Sequence, residues 1–313
     1  MMADHSNTPI HKMIEEKASK KGMANVTETL MPKFFLVCAI ISILTTIGIV
    51  FTLVFETFTF FQDVSVVEFI TSPDWYPMFQ DPDFGIRPLL LGTFTIAFIA
   101  MCLAIPVGLA SAIYLSEYAS DKTRRTVKPV LEVLAGIPTI VYGFFALTFI
   151  TPLLQTFIPG LAIYNALSPG IVMGIMIIPM VASLSEDAMS AVPQSMRQGA
   201  FALGATRLEV SLKVVLPAAL SGVIASFVLA ISRAVGETMI VTVAGGANPT
   251  ADLDITSSMQ TMTAYIVQMS LGDAGFGTTV YYSIYAVGMT LFIFTLAMNI
   301  IAHVISNRFR EEY

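Results

Sequence analysis

The residues best suited to chemistry are two ionisable side chains inside a long apolar run. Arg233 and Glu237 stand four positions apart, a spacing that places both side chains on one face of a helix. An arginine at membrane depth costs at least about 2.5–3.5 kcal/mol, so this face is expected to meet a partner helix or an aqueous path. Because a guanidinium is a rigid fork of hydrogen-bond donors, the pair indicates a site for phosphate or carboxylate oxygens.

The pair has two interpretations. In one, the two charges neutralise each other and only hold helices together. In the other, Arg233 binds an anion, and Glu237 holds the arginine when the anion is absent or accepts a proton from it. Ser226 lies seven residues before Arg233 on the same face and joins the candidate substrate pathway. Glu132 is a weaker candidate, because a carboxylate close to Lys128 near the end of an apolar run can reach water.

Other kinds of chemistry find little support in the sequence. Cys38 and Cys102 both lie in apolar runs and are expected to be small buried hydrophobes rather than a disulfide or metal ligands. His5, His11 and His303 are too far apart for a metal-binding spacing. The sequence has no Gly-rich Lys-Ser/Thr loop for ATP and no basic aromatic patch for nucleic acid. We therefore expect a chain that does not bind or hydrolyse ATP alone, holds no metal or cofactor itself and binds no nucleic acid.

The composition predicts an all-α polytopic membrane protein. Of the 313 residues, 55% are hydrophobic and 12% are charged, whereas soluble domains carry about 25% charged residues. Pro106, Pro138 and Pro179 fall inside apolar runs and predict kinks, and Gly170 and Gly174 suit close packing between helices. Six runs are long enough for helices that cross a core of about 30 Å, and they cover residues 34–55, 89–115, 130–154, 169–184, 218–244 and 280–305.

Basic residues orient the predicted spans. Fourteen of the 16 Lys and Arg residues lie in segments on one side of the membrane, and the positive-inside rule therefore places both termini in the cytoplasm. We expect a cytoplasmic tail at 1–33, a first transmembrane helix at 34–55 and an extracytoplasmic loop at 56–88. Residues 89–313 would form the transmembrane core, with a cytoplasmic coupling loop at 185–217.

The coupling loop carries a recognisable pattern. Residues 198–217 read QGAFALGATRLEVSLKVVLP. This stretch resembles the cytoplasmic loop of binding-protein-dependent ABC permeases, whose pattern is E-A-A, three residues, Gly, nine residues, an aliphatic residue, one residue and Leu-Pro. The glycine and the Leu-Pro match, whereas the first two positions depart from the usual Glu and Ala. The resemblance assigns ATPase coupling to Gln198, Gly199, Ala200, Leu203, Gly204, Leu216 and Pro217, with the glycine allowing a turn that a side chain would penalise.

Three further segments point to a narrower family. They are ISRAVGETMIVTVAGG at 231–246, KPVLEVLAGIPTIVYG at 128–143, and an outer loop that contains Trp75 and Phe84. These segments resemble the permease pair of phosphate-specific ABC importers, and the RAxGETMxV form is closer to the PstC family than to the PstA family. The resemblance implies six transmembrane helices in an ABC type I permease core. It also implies that Arg233 and Glu237 stand where an intramembrane Arg and Glu are linked to phosphate transport.

The resemblance also implies partners and a location. The expected partners are a second, PstA-like permease, a dimer of ATPase subunits that holds ATP and Mg²⁺, and an extracytoplasmic phosphate-binding protein. Trp75 and Phe84 are the residues predicted to dock that binding protein, because a mixed aromatic and acidic surface suits a protein better than a free anion. The expected location is the lipid bilayer of a bacterial or archaeal plasma (inner) membrane.

Two alternatives to a phosphate permease remain open from the sequence. One is an ABC permease for another oxyanion, such as sulfate or molybdate. The other is a channel or a membrane-embedded enzyme. An intramembrane hydrolase would need paired carboxylates, a Ser/His arrangement or a metal cluster within the spans, which Arg233 and Glu237 do not provide.

Overall fold

The computed structural model describes residues 9–308, and the chain divides into two compact units, Met1–Phe55 and Glu56–Tyr313. The first helix, α1 (Pro9–Asp63), contains the predicted first span and continues past its predicted end at Phe55. In the first unit, most of the large apolar side chains between Leu30 and Phe55 are exposed along the helix. Such a surface is stable only in lipid or against another protein.

The second unit is built from short and long helices joined by tight turns. Its first elements after α1 are α2 (Val66–Thr71), the two-residue strands β1 (Trp75–Tyr76) and β2 (Asp83–Phe84), and α3 (Arg87–Ile113). The remaining helices are α4 (Asp121–Ala135), α5 (Thr139–Phe145), α6 (Thr151–Gln155), α7 (Leu167–Ser190), α8 (Gln194–Ala202), α9 (Arg207–Val210), α10 (Leu216–Ala218), α11 (Leu220–Val235), α12 (Met239–Ala244), α13 (Met262–Gln268) and α14 (Thr279–Arg308).

Within residues 9–308, four helices are long and apolar enough to cross a membrane, and two bent pairs raise the number to as many as six if each pair is one span. The continuous candidates are Leu30–Asp63, Arg87–Tyr118, Leu167–Ser190 and Thr279–Ile305. The bent pairs are Asp121–Ala135 with Thr139–Gln155, at 84°, and Arg207–Ala218 with Leu220–Val235, at 74°. The all-α polytopic fold is therefore confirmed, and the number of spans reaches six if each bent pair counts as one. The first arm of the second pair, Arg207–Ala218, lies almost wholly in the predicted coupling loop 185–217, so only its second arm falls in the predicted span 218–244.

Two predicted spans are not continuous helices. The run 130–154 is broken between α4 and α5, where Pro138 has an extended backbone with φ −56° and ψ 133°. The predicted kink is therefore a sharp bend. The run 218–244 is also broken, because α11 ends at Val235 and α12 begins at Met239. Pro106 and Pro179, by contrast, lie inside the continuous helices α3 and α7.

The core of the second unit forms where α3 packs against α7. Glycines allow this close approach, as the sequence predicted for Gly170 and Gly174. A Cβ added at Gly170 would lie 2.7 Å from Cγ2 of Ile99, and one added at Gly174 would lie 2.9 Å from the carbonyl oxygen of Ala100. A Cβ at Gly108 would lie 2.7 Å from Cβ of Val181. Backbone contact of this kind is the usual way in which helices pack tightly within lipid.

Residues 56–88 fold into a cap on one end of this core. Trp75 pairs with Phe84 across the two short strands, and both rings pack edge to face against a buried aromatic cluster. The ring centroids of Trp75 and Tyr265 are 4.9 Å apart, and those of Phe60 and Phe84 are 5.3 Å apart. Aromatic pairs at these distances stabilise a cluster beyond the area that they bury.

The packing of α3 on α7 predicts that a single methyl group at Gly108 is destabilising. Gly108→Ala should lower the thermal unfolding midpoint, because overpacking a close contact typically costs about 1–3 kcal/mol. Gly48→Ala is the matched control, since a Cβ at Gly48 meets no atom within 4 Å. Unfolding midpoints in the same detergent check the prediction. Equal midpoints for the two variants would contradict it.

Candidate functional site

Arg233 and Glu237 do not share a helical face. Arg233 lies in the last turn of α11, whereas Glu237 lies in the break before α12. The helix closes through hydrogen bonds from the Gly236 N–H to the Ser232 carbonyl and from the Glu237 N–H to the Ala234 carbonyl, each of 3.2 Å. The sequence-based prediction of one continuous helix through both residues is therefore wrong. Because the helix is interrupted between them, their four-residue spacing does not place the two side chains on one helical face.

The Glu237 side chain accepts hydrogen bonds from the first N–H groups of α12. This side chain is buried, and Oε1 accepts hydrogen bonds from the N–H groups of Met239 (3.2 Å) and Ile240 (3.4 Å). Thr263 Oγ1 donates to the carbonyl oxygen of Glu237 over 2.7 Å. A carboxylate at a helix N-terminus satisfies N–H groups that have no partner within the helix. Glu237 therefore fixes the shape of the break in this conformation.

Arg233 lies at the surface of this chain, in the last turn of α11. The residue is exposed, and within the described part of the chain no ion pair or hydrogen bond reaches its side chain. Because the bend precedes α11, its depth is counted from Leu220, about 20 Å along the helix axis at 1.5 Å per residue. A charge at this position of an apolar helix needs water, an anion or a partner subunit beside it.

Ser226 and Glu132 do not share the environment of Arg233. Ser226 is 1% exposed, and its hydroxyl lies 2.8 Å from that of Ser185 on α7, so it joins two helices and does not face the same exposed space. Glu132 is exposed on α4, in a surface depression that Lys128 also lines. That location agrees with an interfacial carboxylate. The structure thus does not bring the four predicted pathway residues together.

Gly204 ends α8 with the backbone conformation that the sequence predicted. Its φ is +83°, in the left-handed region that side chains disfavour. The Gly204 N–H donates to the Phe201 carbonyl (3.0 Å), and the Ala205 N–H donates to the Ala200 carbonyl (3.2 Å). These two bonds form a Schellman motif. The prediction that this glycine allows a turn in the coupling loop is confirmed.

The next helix of the coupling loop starts with a capping box. The Thr206 hydroxyl accepts from the Glu209 N–H, and Glu209 Oε2 accepts from the Thr206 N–H over 3.1 Å. The bond from the Thr206 backbone, together with that from Lys213, lowers the pKa of the Glu209 carboxyl to about 2. Because the pKa is lowered, the stabilisation is present above the ordinary carboxyl pKa and is lost only as the pH falls toward 2. The cap therefore persists at neutral pH.

The coupling loop exposes an apolar surface beside these turns. Leu203 is 92% exposed, and Phe201 and Leu208 are also exposed. Ala200, by contrast, is partly buried against the apolar cluster beneath the loop. The exposed apolar surface therefore consists of larger side chains than the alanine that the sequence pattern emphasised. Of the other predicted coupling residues, Gln198, Gly199 and Pro217 are exposed, and Leu216 is partly buried.

Trp75 and Phe84 are core residues of the outer cap. They are 1% and 3% exposed, so neither side chain can meet a docking protein in this conformation, contrary to the surface position that the sequence suggested. Tyr76 and Phe79, which are exposed, lie beside them on the same hairpin and pack edge to face on each other. The aromatic surface available to a partner is therefore formed by this second pair.

Sequence reasoning missed three ion pairs near the coupling loop, which involve the buried side chains of Glu186 and Arg197. Glu186 on α7 is fully buried and forms ion pairs with Arg124 and with Lys128, the latter over 2.6 Å. Arg197 on α8 forms a buried ion pair with Glu117 over 3.0 Å. The only available signal was the position of Arg197 directly before the loop pattern. Partners that lie about 60 to 80 residues away cannot be read from spacing.

The chain matches a family of known proteins over most of its length. The family described as "Binding-protein-dependent transport system inner membrane component" matches residues 104–311. The chain is 32% identical over 276 residues to the probable ABC transporter permease protein YqgH of Bacillus subtilis (strain 168), covering 87% of this chain and 88% of that protein. It is 34% identical over 257 residues to the phosphate transport system permease protein PstC of Xylella fastidiosa (strain 9a5c), covering 75% and 77%.

Solved structures show the same fold. A bacterial alginate ABC transporter in complex with an alginate pentasaccharide-bound periplasmic protein contains a chain that aligns with a TM-score of 0.61 and 15% identity, covering 91% of this chain and 98% of that chain. The MetNI methionine ABC transporter, in an inward-facing conformation, aligns with a TM-score of 0.53 and 19% identity, covering 72% and 95%. At these identities the likeness shows the fold alone.

The positive φ at Gly204 predicts that any side chain at this position is destabilising, even though an added Cβ would contact no other atom within 4 Å. Gly204→Ala should destabilise the loop by about 1 kcal/mol or more, because a Cβ disfavours a positive φ. Gly199→Ala is the matched control, since it lies inside α8 and, like Gly204, has nothing within 4 Å of an added Cβ. Hydrogen exchange of the 194–218 backbone checks the prediction. Faster exchange only in the Gly204 variant is expected, and equal exchange in both variants would refute it.

Proposed function

Because the chain belongs to the binding-protein-dependent transport system inner membrane component family, we propose that it forms half of the transmembrane pathway of an ATP-driven phosphate importer. Family membership makes the chain a multi-pass permease subunit of an ABC transporter and not an enzyme. Such permeases work with a partner permease, ATPase subunits and a substrate-binding protein. The identity of the transported anion and the roles of single residues are what the proposal adds.

The observation that carries the proposal is the guanidinium of Arg233. It lies in the last turn of an apolar helix, about 20 Å from the start of that helix, and no carboxylate within the described residues neutralises it. Glu237, the nearest carboxylate in sequence, is occupied by the N–H groups of α12. The five N–H donors of a guanidinium match the oxygens of phosphate. Relatives named as phosphate transport permeases support the same anion.

The remaining pathway residues take supporting roles in this proposal. Glu237 shapes the break between α11 and α12, so that the turn carrying Arg233 keeps its position. Ser226 holds α11 against α7 through Ser185. Glu132, at the edge of α4, remains the least supported pathway residue. Arg233 is then the group that contacts the anion directly.

The coupling loop and the outer cap provide the contacts with other subunits. We propose that Leu203 and its exposed apolar neighbours enter a groove on one subunit of an ATPase dimer, which holds ATP and Mg²⁺, and that the Gly204 turn sets their angle. Tyr76 and Phe79 would meet the phosphate-binding protein, with Trp75 and Phe84 supporting them from the core. A PstA-like permease would supply the second half of the pathway.

The proposed orientation follows from the charge distribution. Both termini and the coupling loop would lie in the cytoplasm of a bacterium or archaeon, and the cap would face outward. ATP binding would close the ATPase dimer, displace the coupling loop and turn the pathway outward to receive phosphate. Hydrolysis would return the pathway to the inward-open state.

Substitutions at Arg233 and Glu237 separate an anion contact from a structural brace. Arg233→Gln should stop phosphate uptake whether or not Glu237 is also changed to Gln, because the anion loses its donors. Lysine at 233 should restore little uptake, since a point charge lacks the two-pronged geometry. Glu237→Gln alone should be milder, because an amide oxygen can still accept from the N–H groups of α12. Uptake in proteoliposomes of the assembled importer, with matched protein levels, is the measurement.

The double variant gives the decisive comparison within this set. If the two charges only neutralise each other, removing both should restore the uptake that removing one abolishes. Recovery of phosphate uptake in Arg233→Gln/Glu237→Gln would therefore refute an anion contact. Loss of uptake in both arginine variants, with the ATPase subunits still copurifying, is the expected result.

A further inference from the structure

A buried ion pair connects the coupling loop to the end of α3. Arg197 lies in α8, and Glu117 lies in the π-helical turn Tyr114–Tyr118 that follows α3. Each side chain is 8% exposed. Arg197 Nη2 and Nε donate to Glu117 Oε1 over 3.0 and 3.2 Å. Among the residues that the structure describes, Arg197 is the only buried lysine or arginine.

The same guanidinium also binds the backbone between α7 and α8. Nη1 donates to the carbonyl oxygen of Val192 over 2.5 Å, and Nη2 donates to that of Met189 over 2.8 Å. Four hydrogen bonds thus join the ends of α3 and α7 to α8. A lysine cannot reproduce this arrangement, because its ammonium is a point charge without the planar fork of donors.

The ion pair stands beside a packed apolar cluster that involves the same helices. Ala112 from α3, Met189 from α7, Val210 from α9 and Val223 from α11 are buried in this cluster. Close-packed interiors transmit displacement, because they have little free volume to absorb it. The turn after α3, the end of α7 and the coupling loop are therefore held together by both charge and packing.

We propose that the Arg197–Glu117 pair is the positioning contact that carries movement of the coupling loop to α3. The inference rests on the proposed function, in that residues 185–217 are taken to follow the ATPases. Separating the pair would leave a buried charge without its partner, which is strongly unfavourable. The two elements should therefore move as one. Because α3 packs along α7 in the core, its displacement would reshape the transmembrane region.

The test follows movement at two exposed positions, one on each side of the ion pair. Ser195 on α8 and Ala110 on α3 are replaced, one at a time, by Cys and labelled with an environment-sensitive fluorophore. The assembled transporter carries Cys38→Ser and Cys102→Ser, which remove the cysteines native to this chain. Fluorescence is recorded with and without trapping by ATP and vanadate.

In the parent, trapping should change the fluorescence at both positions. In Arg197→Gln and in Glu117→Gln, the change at Ser195 should remain. The change at Ala110 should be lost, because α3 would no longer follow the coupling loop. Arg197→Lys should resemble Arg197→Gln at Ala110. A merely stabilising pair would lower the unfolding midpoint without separating the two fluorescence responses.

Lys213→Gln is the matched control. Lys213 pairs with Glu209 over 3.2 Å in the same loop, but this pair is exposed and joins residues only four apart, so both responses should equal those of the parent. A parental response at Ala110 in Arg197→Gln would overturn the proposal. So would a parent in which Ala110 does not respond, or a loss of both responses while the ATPase subunits still copurify.

The fluorescence readout does not depend on the transported anion. If phosphate is not the substrate, the parent will fail to accumulate phosphate while the responses to ATP and vanadate persist. If the ion pair does not carry movement, phosphate uptake will remain normal in Arg197→Gln together with a parental response at Ala110. The two failures are therefore distinguishable.

Discussion

An arginine about 20 Å along an apolar helix, with no ion pair to its side chain among the described residues, is the constraint on which the account of this chain depends. Such a charge costs at least about 2.5–3.5 kcal/mol in a membrane unless water or an anion meets it. The chain does not remove that cost with Glu237, whose carboxylate caps α12 instead. The donors of Arg233 therefore have no carboxylate partner among the described residues at the end of α11, where the proposed anion pathway needs them.

Packing of the surrounding helices fixes the position of α11, which carries Arg233. Close packing of α3 on α7, made possible by glycines such as Gly174, forms a layer to which α11 is joined by the hydrogen bond between the Ser185 and Ser226 hydroxyls. Among the described residues, ion pairs join α7 to α4 and α8 to the turn after α3, and one lies within the coupling loop. Apolar packing thus fixes the transmembrane core, whereas buried ion pairs such as Arg197 with Glu117 connect it to the loop. Apolar packing suits helices within lipid, and ion pairs are stable where the charges have partners.

The sequence was informative wherever a local rule applied. Apolar length predicted the spans, and the position of Gly204 in the loop pattern predicted its positive φ. It failed where a helix was assumed to continue: Gly236 followed by polar residues is a stop signal that the apolar run concealed. Long-range pairs such as Arg197 with Glu117 leave no spacing signal. The burial of Trp75 could not be predicted either, because two-residue strands are too short to show an alternating pattern.

The most direct measurement is a cryo-electron microscopy structure of the assembled transporter trapped with phosphate in the pathway. The account predicts density for the anion within hydrogen-bonding distance, about 3 Å, of the Arg233 guanidinium. It also predicts that Glu237 still caps α12. A structure in which a carboxylate of this chain or of the partner permease neutralises Arg233, with phosphate bound elsewhere, would contradict the account.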